Sequence, residues 1–138
     1  MSIGSVLSIA LSGMTAATRR LEVSARNVAN ASSSGPSPDA DPAIKGSFPA
    51  AYVAQRVDQV EAAGGGTLAN VGPASPGTVP TYDPTAPYAD DKGMVAAPNV
   101  DFANEAVQQL LAGVTFAANA QVVRTYDRMM KTLLDIKS

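Results

Sequence analysis

The sequence predicts a mainly α-helical chain with a small β or irregular middle, in which long N- and C-terminal helices pair as a coiled coil around an extended Pro/Gly-rich insertion. All ten prolines lie between residues 36 and 98, and eight of the eleven glycines lie between residues 35 and 98. Because proline breaks helix interiors and glycine weakens them, this partition favours helices in both flanks. We therefore expect an N-terminal helix at 2–31, an extended or β middle region at 32–98 and a C-terminal helix at 99–138. The two helices would form one discontinuous domain, with the middle as an insertion.

The N-terminal flank repeats its apolar residues every seven positions. One set is large, and a second set is interleaved with it: Leu7, Met14, Leu21 and Val28, then Ile3, Ala10, Ala17 and Ser24. Apolar residues at these two offsets form the a/d seam of a coiled coil. The small side chains of the second set allow a neighbouring helix to approach closely.

The middle region combines one apolar stretch with many turn residues. The stretch containing Phe48, Tyr52, Val53, Val57 and Val60 is bounded by Gly46-Ser47 and by the triplet Gly64-Gly65-Gly66. It favours a strand, although the spacing of its three valines also suits a helix. Short extended segments are expected at 78–82 and 94–97, separated by turns rich in Pro, Asp and Gly.

The C-terminal flank begins with Asn99 or Asp101 as a candidate N-cap after Pro98. Apolar residues then follow at spacings of three and four, as an amphipathic helix requires. They are Val107, Leu111, Val114, Ala118, Val122, Tyr126, Met129, Leu133 and Ile136. Two such long helices side by side bury only a narrow stripe each, so the remaining apolar positions are expected to contact other chains.

Composition argues against most catalytic and cofactor chemistry. The chain of 138 residues has no His and no Cys, and its formal net charge is −2. The commonest general base, thiol nucleophiles, disulfides and thiolate zinc sites are therefore excluded. The charge is too small for a basic nucleic-acid footprint, and no apolar run is long enough to span a bilayer. We expect a protein that is not an enzyme and that has no cofactor, no metal, no nucleic-acid partner, no small-molecule substrate and no direct membrane insertion.

Isolated motifs in the middle region indicate surface structure. The glycine triplet lacks the Gly-Lys-Ser/Thr that a phosphate-binding loop requires, so a flexible turn is favoured. Asp39 and Asp41 only faintly resemble a calcium loop, and the carboxylates of Asp58 and Glu61 fit a solvated strand edge. Two asparagines, Asn27 and Asn30, precede a Ser/Gly/Pro break. Helix termination by an Asn in the left-handed conformation explains one of them better than both.

Three segments carry a resemblance to the bacterial flagellar basal-body rod proteins. The run from Arg26 to Ala31 resembles the N-terminal Asn-x-Ala-Asn signature of that family. The turn-rich run from Tyr82 to Asp101 and the helical segments Ala118–Thr125 and Met130–Leu134 are similar to its C-terminal part. Ser32-Ser33-Ser34-Gly35-Pro36 stands where related rod and hook proteins often have Thr-Pro-Gly-Tyr, and it is nearer to the proximal rod subunit.

The resemblance implies a structural subunit that polymerises through its terminal helices into the proximal part of the periplasmic rod, between the membrane ring and the hook. Its partners would be copies of itself, other rod proteins and the flagellar type III export apparatus, which would export it without cleaving a signal peptide. The residues expected to mediate assembly are Ile3, Leu7, Ala10, Met14, Ala17, Leu21, Asn27, Val28, Asn30, Val107, Leu111, Val114, Ala118, Val122, Met129 and Leu133.

Two other classes of protein remain open from the sequence, besides another axial subunit of the rod and hook family. Residues 2–30 would suit an amphipathic helix on a membrane surface, although Arg19, Arg20 and Arg26 are few for that purpose. A secreted muramidase-like enzyme would need a paired-carboxylate cleft, which no motif indicates. Because a lone helix is hard to nucleate, we also expect residues 2–31 to be largely unfolded in an isolated chain.

Overall fold

The computed structural model describes residues 3–137, with side chains from residue 4 to residue 136. Two long helices and a small β-stranded middle make up the chain, as the sequence predicts. The elements are α1 (Ile3–Ala29), β1 (Gly35–Pro36), α2 (Pro42–Ser47), β2 (Gln55–Glu61), β3 (Thr67–Pro73), β4 (Thr78–Tyr82), β5 (Met94–Pro98) and α3 (Phe102–Lys137). The most extensive contact in the molecule is between α1 and α3.

The two long helices run antiparallel and approach closely through small residues. Gly13 lies against Asn119, and Ser24 donates to the backbone oxygen of Glu105 (3.1 Å). Ala10, Ala17 and Ser24 are buried, so the small set of the predicted seam does admit a neighbouring helix. Ile3 belongs to the same set, but its side chain lies outside the described residues.

Side chains form hydrogen bonds at the N-terminus of α3 and at the C-terminus of α1. Asp101, rather than Asn99, caps α3, because its Oδ1 accepts from the backbone nitrogens of Ala103 (2.8 Å) and Asn104 (3.3 Å). Asn99 instead donates to the backbone oxygen of Pro76 (2.9 Å). At the same end of the pair, the side chain of Asn30 donates to the backbone oxygen of Arg26 (2.9 Å) in the last turn of α1, which also accepts from the backbone nitrogen of Asn30 (3.1 Å). Asn30 does this without the expected left-handed backbone, since none of the described non-glycine residues has positive φ.

The middle region begins differently from the prediction. The strand expected from about residue 48 starts only at Gln55, and it pairs antiparallel with β3, from Gln55 opposite Pro73 to Glu61 opposite Thr67. The short helix α2 was not predicted, and it depends on Asp41, whose Oδ1 accepts from the backbone nitrogen of Ala43 (2.7 Å). Its first residue is Pro42, which suits the first turn because no N–H is needed there.

The hairpin of β2 and β3 lies along α1. Its turn is formed by the glycine triplet, whose φ values are +96°, +91° and +90°. The backbone nitrogen of Thr67 donates to Ser12 Oγ (3.1 Å) and ties the tip of the hairpin to α1. The predicted turn is confirmed, and it is fixed in place by this contact.

The second sheet has the strand order β1–β5–β4. Both predicted extended segments are confirmed, as β4 and β5, and they pair from Thr78 opposite Pro98 to Tyr82 opposite Met94. Val95 and Ala96 of the central strand are buried. Of the described strands, those of the hairpin are the ones that pack extensively against α1.

The expectation that residues 2–31 are unfolded in a single chain disagrees with the structure, in which residues 3–29 form a continuous helix. The reason is that α1 contacts α3 on one side and the hairpin on another, so it does not stand alone. No helix within residues 3–137 is long and apolar enough to cross a membrane.

Candidate assembly surface

A buried hydrogen-bond cluster at the C-terminal end of α1 holds the helix pair to the middle region. Asn27 is 2% exposed, and its Nδ2 donates to the backbone oxygen of Gln55 (2.8 Å) and to Glu105 Oε1 (2.7 Å). Its Oδ1 accepts from the hydroxyl of Tyr52 (2.9 Å) and from the backbone nitrogen of Gln55 (3.0 Å). These bonds use both donors and both acceptor positions of the amide. Asn27 therefore joins α1, β2 and α3 within one chain.

Neighbouring groups extend this cluster. Gln109 donates to Ser24 Oγ (3.2 Å), so a second side chain of α3 is fixed to α1. Burial raises the pKa of Tyr52, the nearby Arg26 guanidinium opposes that rise, and the Glu105 carboxylate adds to it. The tyrosine therefore stays protonated and donates its hydrogen bond to Asn27 at neutral pH. The cluster orients the two helices, and it holds no nucleophile or base placed for catalysis.

Another flank of α1 carries an apolar row whose side chains are half-buried or exposed in the single chain. We call Leu7, Leu11, Met14, Leu21 and Val28 the α1 ridge. Leu11 is 49% exposed, Leu21 is 46% exposed and Val28 is 37% exposed, whereas Leu7 and Met14 are half-buried. The small residues of the predicted seam therefore face α3, while the large residues lie to one side of that contact, with Leu21 at its edge.

The apolar stripe predicted on α3 is likewise exposed. We call its central members, Val107, Leu111, Val114, Ala118, Val122, Met129 and Leu133, the α3 ridge. Each of these side chains is exposed; Val122 is the least exposed of its six large members, at 42%, and Val114 the most, at 68%. The residues of α3 that face α1 are a different set, polar or small: Glu105, Gln109, Ala112 and Asn119. Most of the apolar surface of this helix is thus left for other contacts.

Two apolar grooves accompany the ridges. Groove A, of about 310 Å³, lies between Val6 of α1 and the last turns of α3, and its walls include Val122, Tyr126, Met129 and Leu133. Groove B, of about 270 Å³, is lined by Ala17, Thr18, Leu21, Ala112, Gly113 and Phe116. Both are open depressions at the junction of the two helices, the shape that receives side chains of another helix. Within the part of the chain that the structure describes, no acidic side chains converge to hold a metal ion.

The chain is similar to known proteins over almost its whole length. The family model of the C-terminal part of the flagellar basal body rod FlgEFG proteins matches residues 91–136. The flagellar basal-body rod protein FlgC of Escherichia coli O6:H1 is 37% identical over 136 residues, covering 96% of this chain and 97% of that protein. The FlgC protein of Agrobacterium fabrum is 32% identical over 128 residues, covering 93% of this chain and 90% of that protein. The chain belongs to the FlgC family.

Members of the FlgC family are structural subunits of the flagellar basal-body rod, and this chain is such a subunit and not an enzyme. The resemblance seen in the sequence is therefore confirmed at the level of the family. In a single copy, fifteen large apolar side chains among the described residues of α1 and α3 are exposed.

The structure brings together only part of the predicted assembly set. Leu21 and Ala17 meet at groove B, whereas Val122, Met129 and Leu133 line groove A. Ala10 and Ala17 are buried in the helix pair, and Asn27 and Asn30 form hydrogen bonds within the chain. Sequence reasoning did not include Leu11 or Phe116 in the set. Leu11 lies one helical turn from both Leu7 and Met14. This spacing in the sequence could have placed Leu11 in the set.

Proposed function

We propose that this rod subunit polymerises with copies of itself and with adjacent rod proteins through the α1 and α3 ridges. The observation that carries the proposal is the exposure of the α3 ridge: its six large members are 42–68% exposed, whereas the α3 side chains that bond to α1 are polar. Full burial of a Val, Leu or Met side chain stabilises by about 1.5–3 kcal/mol. The burial of several such side chains between copies would stabilise the assembly by more than association costs. A single copy leaves these side chains exposed and does not gain this energy.

We further propose that residues 2–31 and 99–138 act as one discontinuous helical domain that pairs as a coiled coil in the rod. The insertion at 32–98 would then face outward. The seven-residue spacing of the α1 ridge supports this, because a seam of that period is typical of supercoiled helices. The contact of the hairpin with only one side of α1 also supports it, since that contact leaves the ridge uncovered.

Membership of the FlgC family also supports a place in the proximal rod, in the periplasm between the membrane ring and the hook. We propose that the chain reaches it through the flagellar type III export apparatus without cleavage of a signal peptide. Detection of the intact N-terminal residues by mass spectrometry of purified basal bodies tests this point. A shortened N-terminus would contradict it.

Leu21→Asp tests the assembly proposal. Leu21 is 46% exposed, so a carboxylate there leaves the fold intact but destroys the apolar surface offered to a neighbour. We expect normal export, loss of the subunit from purified rods and loss of motility. Thr15→Asp is the matched control, because Thr15 is an exposed residue of the same helix outside the ridge. Normal rods in the Leu21→Asp strain would contradict the proposal.

A further inference from the structure

The two ridges lie on opposite sides of the helix pair. The side occupied by the α1 ridge follows from the contacts of α1 with α3 and with the hairpin. Gly13 and Ser24 face α3, and Ser12 faces the hairpin. At about 100° of rotation per residue, Met14 and Leu21 lie on the flank of α1 opposite to Ser12. The α1 ridge is therefore on the side of the pair away from the hairpin.

Groove B shows which surface of α3 lies on the same side of the helix pair as the α1 ridge. It is lined by Leu21 of the α1 ridge together with Gly113 and Phe116, so these two residues mark the side of α3 that continues the α1 ridge. Leu111 and Val122 are rotated from Ala112 in the other direction, again at about 100° per residue. The α3 ridge consequently lies on the hairpin side of the pair.

The two ridges are also matched in length and chemistry. From Leu7 to Val28 the α1 ridge extends about 32 Å, and from Val107 to Leu133 the α3 ridge extends about 39 Å, at ~1.5 Å per residue. Segments 3–18 and 106–123, which contain much of the two ridges, have no charged residue. The two ridges belong to different helices, but both are apolar and similar in length. They are therefore suited to contact one another.

We infer that the α1 ridge of one copy docks on the α3 ridge of the next copy. This inference rests on the proposed function and adds to it which surface meets which. Contact between unlike surfaces on opposite sides of a subunit leaves the same two surfaces free at the ends of any oligomer, so the chain of subunits stays open. Contact of α1 ridge with α1 ridge, or α3 ridge with α3 ridge, would instead close a symmetric pair.

Two single variants and their mixture test this arrangement. Leu21→Asp removes the α1 ridge and Leu111→Asp removes the α3 ridge, and both leucines are 46% exposed in the wild type. Each variant alone should sediment as a monomer at concentrations where the wild type forms a series of oligomers. The equimolar mixture should form a 1:1 dimer and nothing larger, because one intact α1 ridge meets one intact α3 ridge. Far-UV circular dichroism verifies that each variant is folded, and Met14→Asp with Val114→Asp is the second pair.

The outcomes separate the inference from the proposal beneath it. Dimers formed by either variant alone would overturn the inference in favour of pairing between like ridges. A wild type that oligomerises while the mixture stays monomeric would also overturn the inference but leave self-assembly intact. If the wild type and the mixture both remain monomeric at every concentration reached, assembly of copies through these ridges is wrong. Thr15→Asp and Ala106→Asp, at exposed sites outside the ridges, should oligomerise like the wild type.

Discussion

Gly13 of α1 lies directly against the side-chain amide of Asn119 in α3. A Cβ at position 13 would be 2.6 Å from Asn119 Oδ1 and 2.7 Å from Asn119 Nδ2. The amide is itself held, because its Nδ2 donates to the backbone oxygen of Thr115 (2.9 Å). The absence of a side chain at Gly13 therefore sets how closely the two helices approach.

This contact predicts opposite behaviour for two helical glycines. Gly113→Ala should stabilise the protein by up to about 1 kcal/mol, because alanine is the better helix former. A Cβ at position 113 would have no atom within 4 Å. Gly13→Ala should be less favourable than Gly113→Ala by about 1–3 kcal/mol, because it crowds Asn119. Urea unfolding of both variants measures the difference, and equal free energies of unfolding would show that the close approach is unimportant.

The cluster around Asn27 predicts a large loss of stability for Asn27→Ala. The substitution leaves Tyr52, Glu105 and the backbone of Gln55 without their buried partner, so it should cost about 2–4 kcal/mol. Asn30→Ala, which loses mainly the bond to the Arg26 carbonyl at an exposed helix end, should cost about 1 kcal/mol. Equilibrium unfolding in urea measures both. A similar cost at the two positions would contradict the structural difference between the two asparagines.

The long elements were predictable because their signals extend over many residues. The proline-free segment on each flank predicted the bounds of α1 and α3 to within two or three residues. The turns rich in Pro, Asp and Gly predicted where β4 and β5 lie between them. The helix α2 was missed because six residues give no periodic signal, and only the pair Asp41-Pro42 indicated a cap. The strand β3 was missed because only Leu68 and Val71 are large and apolar within a Gly- and Pro-rich stretch.

The candidate assembly surface was predictable in composition, but the side of α3 on which it lies was not. Spacing identified the stripe from Val107 to Leu133, and this stripe proves to be exposed. Glu105, Ala112 and Asn119 repeat with the same seven-residue period, and this set faces α1. Within one chain, the face of α3 with the small and polar residues contacts α1. This face permits close approach of the two helices and hydrogen bonds to Ser24 and Asn27. Periodicity alone does not reveal which of two faces meets the partner helix.

The hairpin tip predicts different costs for two glycines of similar backbone conformation. Gly64 has φ +96° and open space around it, whereas a Cβ at Gly66, with φ +90°, would collide with Ser12 Oγ. Both alanine substitutions should cost about 1–2 kcal/mol because positive φ is strained for a residue with a side chain. Gly66→Ala should cost at least about 1 kcal/mol more, from the collision. Thermal unfolding compares the two, and Ser12→Ala should reduce the difference; an unchanged difference would mean that the hairpin does not rest on Ser12.

Binding to vesicles distinguishes the rod subunit from an amphipathic membrane binder. An interfacial helix combines its apolar face with basic residues, but the first described basic residue of α1 is Arg19, beyond most of the ridge. Arg19 is also paired with Glu22 (3.0 Å). We expect no co-sedimentation of the wild type with vesicles rich in anionic lipid. Binding that disappears in Leu21→Asp would show instead that the α1 ridge inserts into membranes.

Asp90 predicts a defined acid sensitivity of the loop between β4 and β5. Its Oδ1 accepts from the backbone nitrogens of Met94 (2.8 Å) and Lys92 (2.9 Å), and the bond from Met94 is the main reason that the pKa of Asp90 lies below its usual 3.8. A carboxylate whose pKa is lowered by folding stabilises the native state above its unfolded pKa, and this contribution is lost as the pH falls through the folded pKa.

Asp90→Asn should therefore lower the melting temperature at about pH 7. The difference in melting temperature from the wild type should shrink below about pH 4, as Asp90 of the wild type becomes protonated. Asp91→Asn, at the exposed neighbouring position, is the control and should show no such convergence. A deficit for Asp90→Asn that is constant from about pH 7 to about pH 3 would mean that ionisation of Asp90 does not hold this loop.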